Sequence, residues 1–158
     1  MRKIIAYCRV GCPHSDRTKE TLNNLCSSKL STIKIIDVEN NNTSKEEATN
    51  EIHKLFENSN NTQKNGVDTY NVFPKIIYIS TSGKPYFIGG NDTLQKIYKK
   101  VKDLVKNLVK NLVKTKYKKD LSNTDIVKLC VDKDNLNLTN SNEIRLAYFL
   151  IKKLEICK

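Results

Sequence analysis

The chain has 158 residues with 28 Lys/Arg against 17 Asp/Glu, a formal net charge of +11. That length suits one compact domain plus an extension, and no apolar run approaches the ~20 residues needed to span a bilayer. Five cysteines, an odd number without paired spacing, and only two histidines exclude a disulfide framework and a zinc module assembled from local motifs.

The apolar start at Ile4–Ile5–Ala6 is too short for a secretion signal, so a reducing, cytoplasmic setting is expected. Asparagine is abundant (19 residues), with runs such as Asn40–Asn41–Asn42, which reads as AT-rich coding rather than chemistry. Residues 1–91 carry 12 basic against 9 acidic side chains (+3), and residues 92–158 carry 16 against 8 (+8). The basic character belongs to the second part, and the two parts need separate explanations.

Lys3 to Arg9 reads as a buried strand, ended by Gly11. Pro13 to about Ser27 reads as a helix with proline at its first position and Leu22 and Leu25 facing inward. Thr32–Val38 is a second strand. Thr43–Glu57 is a second helix, with Ala48, Ile52, Leu55 and Phe56 on one face and Glu46 and Glu47 near its positive end.

Residues 58–71 are polar and turn-rich, a loop. Pro74–Ser80 and Pro85–Ile88 are strands joined through Thr81–Ser82–Gly83, a hairpin signature. Gly89–Gly90 breaks the strand, and Asn91 or Asp92 is placed to cap a third helix. The order β-α-β-α-β-β-α predicts an α/β domain: a mixed four-stranded sheet, parallel where the early strands alternate with helices and antiparallel at the edge that the late hairpin adds, with helices on both faces.

A helix starting at Pro13 makes Cys12 its N-cap residue. Unpaired backbone N–H groups and the positive helix end then favour a thiolate, and Arg9 adds a nearby charge. The plain alternative, a small residue ending a turn, does not account for this strand–turn–cysteine–helix arrangement.

The segments "IIAYCRVGCPHSDRTKETL", "VFPKIIYI" and "GKPYFIGGNDTLQKI" resemble, in order, the three signature segments of the glutaredoxin family. The resemblance covers about residues 3–105 and implies a thioredoxin-like fold and glutathione-dependent thiol–disulfide exchange. It assigns the nucleophile to Cys12, the preceding basic position to Arg9, and the usual aromatic position of the motif to His14. Val72–Phe73–Pro74 matches the Thr-Val-Pro segment, whose proline is typically cis in the family and lets the preceding residue's backbone pair with glutathione. Gly89–Gly90–Asn91–Asp92 matches the segment that holds the γ-glutamyl end at a helix N-terminus. The implied glutathione site is therefore Arg9, Cys12, His14, Phe73, Pro74, Gly90, Asn91 and Asp92.

Ser15 stands where a second thiol would close an internal disulfide, so the resemblance implies the one-thiol route, with free glutathione resolving the intermediate. The Ser15 hydroxyl either donates to the thiolate or caps the helix. Cys8, on the strand, is expected to point away from Cys12. The family's second-helix contact to glutathione is not identifiable here. Two alternatives remain: a redox-fold binding module, and an iron–sulfur cluster carrier using Cys12 with glutathione thiols from two subunits. Pro13 and His14 depart from the Cys-Gly-Phe-Ser pattern of cluster-specialised relatives.

Beyond Asp92 the third helix runs on through "VKDLVKNLVKNLVK", with Leu104, Val105, Leu108, Val109, Leu112 and Val113 forming one stripe. Residues 96–119 hold ten lysines against one acid, Asp103. The plain reading is an apolar stripe packed inward and solvated lysines; the alternatives are a membrane surface or an acidic partner protein. Nucleic acid is disfavoured because interleaved stacking aromatics are missing. Further helices are expected at Asn123–Val131, after Ser122, and at Asn142–Cys157, after Asn140, the latter apolar nearly all round. Residues 1–105 are read as the glutaredoxin-like domain and 106–158 as a helical extension in which Cys130 and Cys157 pack. The expected partners of the domain are glutathione and glutathionylated or disulfide-bearing proteins.

Overall fold

The computed structural model describes residues 2–25, 33–60, 64, 72–113, 138 and 140–156. The expected helix Asn123–Val131, with Cys26, Cys130, Cys157 and most of the 58–71 loop, lies outside the described residues. The elements are β1 (Lys3–Arg9), α1 (Pro13–Asn23), β2 (Ile33–Val38), α2 (Asn42–Leu55), β3 (Lys75–Ile79), β4 (Pro85–Gly89), α3 (Asn91–Val113) and α4 (Ser141–Ile156). The chain divides into two compact units, Met1–Gln95 and Lys96–Lys158.

The first unit is α/β, built on a mixed four-stranded sheet in the order β2-β1-β3-β4. Only β1 and β2 run parallel; β3 is antiparallel to β1, and β4 to β3. The alternation of early strands and helices predicts parallel crossovers; β1–α1–β2 is one, whereas β3 enters antiparallel to β1.

That reversal positions the site. Lys75, the first residue of β3, lies opposite Tyr7 near the end of β1. Gly89, the last residue of β4, lies opposite Ile76. The end of β1, the start of β3 and the end of β4 therefore meet at one edge of the sheet, and α1 and α3 both begin there.

Strand alternation divides the core. Tyr7, Val38 and Ile77 form a buried cluster with Ala48, Ile52 and Phe56 of the α2 segment, with Ile5, Ile36 and Phe87 packed around it. Ile4, Ala6 and Cys8 alternate to the opposite face and are fully buried there. On that face Lys19 of α1 pairs with Asp37 of β2. Helices thus cover both faces, as the pattern predicted. The hairpin closes through Gly83 N–H to the Ser80 carbonyl (2.9 Å), with Gly83 at φ +84°.

Helix ends differ from expectation in informative ways. α2 is capped by Asn41, whose side-chain oxygen accepts from Ser44 N–H at 2.7 Å. Its first turn holds no acid, so Glu46 and Glu47 sit too far along to meet the helix end. α3 begins at Asn91 with the Gly90 carbonyl accepting from Leu94 N–H (3.1 Å), so Gly90 occupies the capping position and neither Asn91 nor Asp92 does.

In the second unit, α3 continues unbroken to Val113. Ile97 and Val101 are fully buried and Leu104 nearly so, one stripe at helical spacing; the stripe expected beyond Leu104 lies outside the described side chains. Asn140 caps α4, accepting from Asn142 N–H at 2.9 Å, and Lys96 pairs with Glu143 in its first turn. Leu146, Ala147, Phe149, Leu150 and Ile151 are all buried, which matches a helix apolar nearly all round. No helix among the described residues is long and apolar enough to cross a membrane.

Candidate active site

Cys12 is the N-cap residue of α1, in extended backbone (φ −95°, ψ 122°), with Pro13 next in the chain. Gly11, at φ +79°, makes the turn from β1, and the Cys12 carbonyl accepts from Asp16 N–H at 2.9 Å. The Ser15 and His14 N–H groups face the sulfur without meeting full capping geometry. Foremost among its influences, the Ser15 N–H holds the Cys12 thiol below its ordinary value, opposed by partial burial and helped by the His14 N–H, the Ser15 hydroxyl and Arg9. Backbone groups at the helix start outweigh the arginine.

Ser15 does not cap the helix. It is fully buried, and its hydroxyl oxygen accepts from the Arg9 backbone N–H at 2.9 Å, tying the end of β1 to the first turn of α1. The hydroxyl proton remains available to the sulfur.

Around Cys12 lies a cleft of about 420 Å³ lined by Arg9, His14, Phe73, Pro74, Asn91 and Asp92, together with Lys45 and Val72. Seven of the eight sequence-predicted site residues line it, counting Cys12; Gly90 does not and serves as the α3 cap. The Phe73–Pro74 peptide bond is cis. Asn91 is 5% exposed, and its side-chain oxygen accepts from Thr18 Oγ1 (3.0 Å) and Gln95 Nε2 (3.1 Å). That oxygen is committed to joining α1 and α3, so Asn91 offers the cleft its other atoms only.

No family model, curated protein or solved structure matches this chain. The chemistry of the site therefore rests on its own geometry. It combines a thiol held below its ordinary pKa, the N-terminal ends of two helices, two cationic side chains and one carboxylate, Asp92.

Two residues at the site carry no clear mark in the sequence. Lys45, in the first turn of α2, lines the cleft, where a long polar loop blurred any alignment. Asn40, read as coding bias, accepts from Arg9 Nε at 3.0 Å and also from Arg9 Nη2. The only sequence signal for either was the capping potential of Asn41 before a helical pattern.

Cys8 is fully buried on β1 and is not part of the cleft. Burial is the main reason its thiol is pushed up to about 11, opposed by Lys19 and reinforced by Asp37, Asp16 and Cys12. Among the described residues no group of three or more His, Cys, Asp or Glu could hold a metal ion. Among the described residues Cys12 is the one sulfur that lines this cleft.

Proposed function

We propose that this chain is a glutaredoxin-like enzyme of thioredoxin-like fold that removes glutathione from mixed disulfides with a single thiol. The observation that carries it is the N-cap placement of Cys12 within a cleft walled by Arg9, Lys45, the start of α3 and the cis Phe73–Pro74 segment. Glutathione carries two carboxylates and one ammonium. The cleft offers two cations and a helix N-terminus for the former, and Asp92 for the latter.

In the first step the Cys12 thiolate attacks the glutathione sulfur of a protein–glutathione disulfide. A Cys12–glutathione bond forms, the original disulfide breaks, and the protein sulfur leaves as a thiolate that takes a proton from water. A second glutathione thiolate then attacks the bound glutathione sulfur, releasing glutathione disulfide and restoring the Cys12 thiolate. In sum, the protein–glutathione disulfide and one free glutathione become the protein thiol and glutathione disulfide: one glutathione thiol is oxidised and the protein sulfur is reduced.

The test is release of glutathione from a glutathionylated protein by the wild type and by Cys12→Ser. Turnover by the wild type alone supports the proposal. A wild type at background, or equal rates for both, would leave a binding module in its place.

A further inference from the structure

The asparagines before α2 meet the guanidinium of Arg9 and the backbone of Lys45, the two residues that bring cations to the cleft. Asn40 accepts two N–H groups of Arg9 on one side-chain oxygen, Nε at 3.0 Å and Nη2 besides. Asn41 caps α2 through Ser44 N–H (2.7 Å), and its carbonyl accepts from Lys45 N–H at 3.2 Å, fixing the turn that carries Lys45. Asn40 itself does not line the cleft, whereas Arg9 and Lys45 do.

We propose that Asn40 is a positioning residue, holding the Arg9 guanidinium at the rim of the Cys12 cleft so that anionic ligands are drawn to the thiol. The proposal deepens the exchange reaction above by naming what makes the cleft select an anionic disulfide, and rests on that reading only for the identity of the ligand.

A free arginine side chain samples many rotamers, a freedom that a ligand must otherwise remove on binding. Anchoring Nε and Nη2 on Asn40 removes part of that freedom in advance. The guanidinium has five N–H donors; with two spent on Asn40, three are left to face a carboxylate. A neutral amide is the suitable anchor, because aspartate at the same place would cancel the charge it positions. Arg9 contributes least among the influences on the Cys12 thiol. Its role is accordingly toward the ligand, and loss of Asn40 should leave thiolate formation nearly intact.

The experiment reads the charge field at Cys12 without glutathione. Cys12 is alkylated with anionic iodoacetate and, separately, with neutral iodoacetamide at low ionic strength, and the Cys12 peptide is followed by mass spectrometry. The neutral reagent reports the thiolate; the ratio of the two rates reports the cation beside it. With a cation displaced from the rim, the iodoacetate-to-iodoacetamide ratio should fall about threefold in Asn40→Ala and in Arg9→Gln, with the iodoacetamide rate nearly unchanged. The double variant should show no further fall, since the Asn40 effect passes through Arg9. Asn40→Ser, too short to reach the guanidinium, gives the same reading if the alanine variant fails to fold. A ratio unchanged in the Asn40 variants, a ratio unchanged in Arg9→Gln, or a full additional fall in the double variant overturns the proposal. Failure of the exchange reaction would instead appear as absent turnover with these ratios intact.

Discussion

The Ser15 hydroxyl accepts a hydrogen bond from the Arg9 backbone N–H at 2.9 Å, and it does so from a fully buried position. The place of a second thiol is thus held by an oxygen that closes the last residue of β1 onto the first turn of α1. A thiol is a weaker acceptor and a larger atom, so a cysteine here would surrender that tie.

Replacing Ser15 with alanine leaves the Arg9 N–H without its partner, which should cost about 1–2 kcal/mol of folding stability. Ser15→Cys should also destabilise, by about 1 kcal/mol, because sulfur accepts weakly. Urea denaturation measures both. A Ser15→Ala protein as stable as the wild type would show that the bond contributes nothing to the fold.

The two described thiols should separate with pH. The Ser15 N–H, foremost, holds the Cys12 thiol below its ordinary value, and Cys8 is pushed up to about 11, chiefly by burial. Neutral-reagent alkylation at pH 7 should therefore label Cys12 and spare Cys8. The stability consequences have opposite signs. The depressed Cys12 pKa contributes stability above the unfolded value and loses it as pH falls through the folded one. The raised Cys8 pKa contributes below the unfolded value and loses it as pH climbs from about 8.5 toward 11. Cys12→Ser should flatten the low-pH limb and Cys8→Ala the high-pH limb. Equal labelling of both thiols at pH 7 would contradict the assignment.

The first unit was legible where local chemistry and tertiary structure agree. Pro13 after Cys12, the apolar run of β1 and the Gly83 turn each carry a signal within a few residues, and each element stands where that signal placed it. What stayed hidden depends on residues far apart in sequence. Asn40 reaches Arg9 across 31 positions, and Thr18 reaches Asn91 across 73. A polar side chain cannot reveal from sequence which backbone turn it will meet, so asparagines that cap and position read as composition. The antiparallel entry of β3 was hidden for the same reason: strand direction is decided by sheet pairing, which local patterning does not encode.

Gly89 joins β4 to α3 at φ +134°, and a Cβ built there would lie 2.9 Å from Thr93 Oγ1. Backbone in this region is strained for any residue with a side chain, at about 1–3 kcal/mol, and the Thr93 contact adds to it. Gly89→Ala should lose at least 2 kcal/mol or so in urea denaturation, and Thr93→Ala in the same chain should restore only the steric part. A Gly89→Ala protein within about 0.5 kcal/mol of wild type would mean the β4–α3 junction relaxes freely.

Tyr7 is fully buried beside Val38, Ile52 and Phe56, and its hydroxyl has no hydrogen-bond partner among the described residues. Burial first, and the nearby Glu51 carboxylate second, raise the phenol above its usual range; Glu51 is close enough for that without completing a hydrogen bond. A buried hydroxyl that surrenders water and gains no partner costs about 1–3 kcal/mol, so Tyr7→Phe should be neutral or stabilising near pH 7, by up to about 1 kcal/mol after packing adjusts. The pH dependence has a fixed sign. A phenol whose folded pKa is raised contributes stability below its unfolded value of about 10 and loses it as pH rises further, so the variant should lose less stability than wild type above that point. Urea denaturation of Tyr7→Phe at pH 7 and at pH 10.5 tests both halves. A loss of more than about 1 kcal/mol at pH 7 would mean that the hydroxyl has a partner after all, with the Glu51 carboxylate the first to examine by Glu51→Gln.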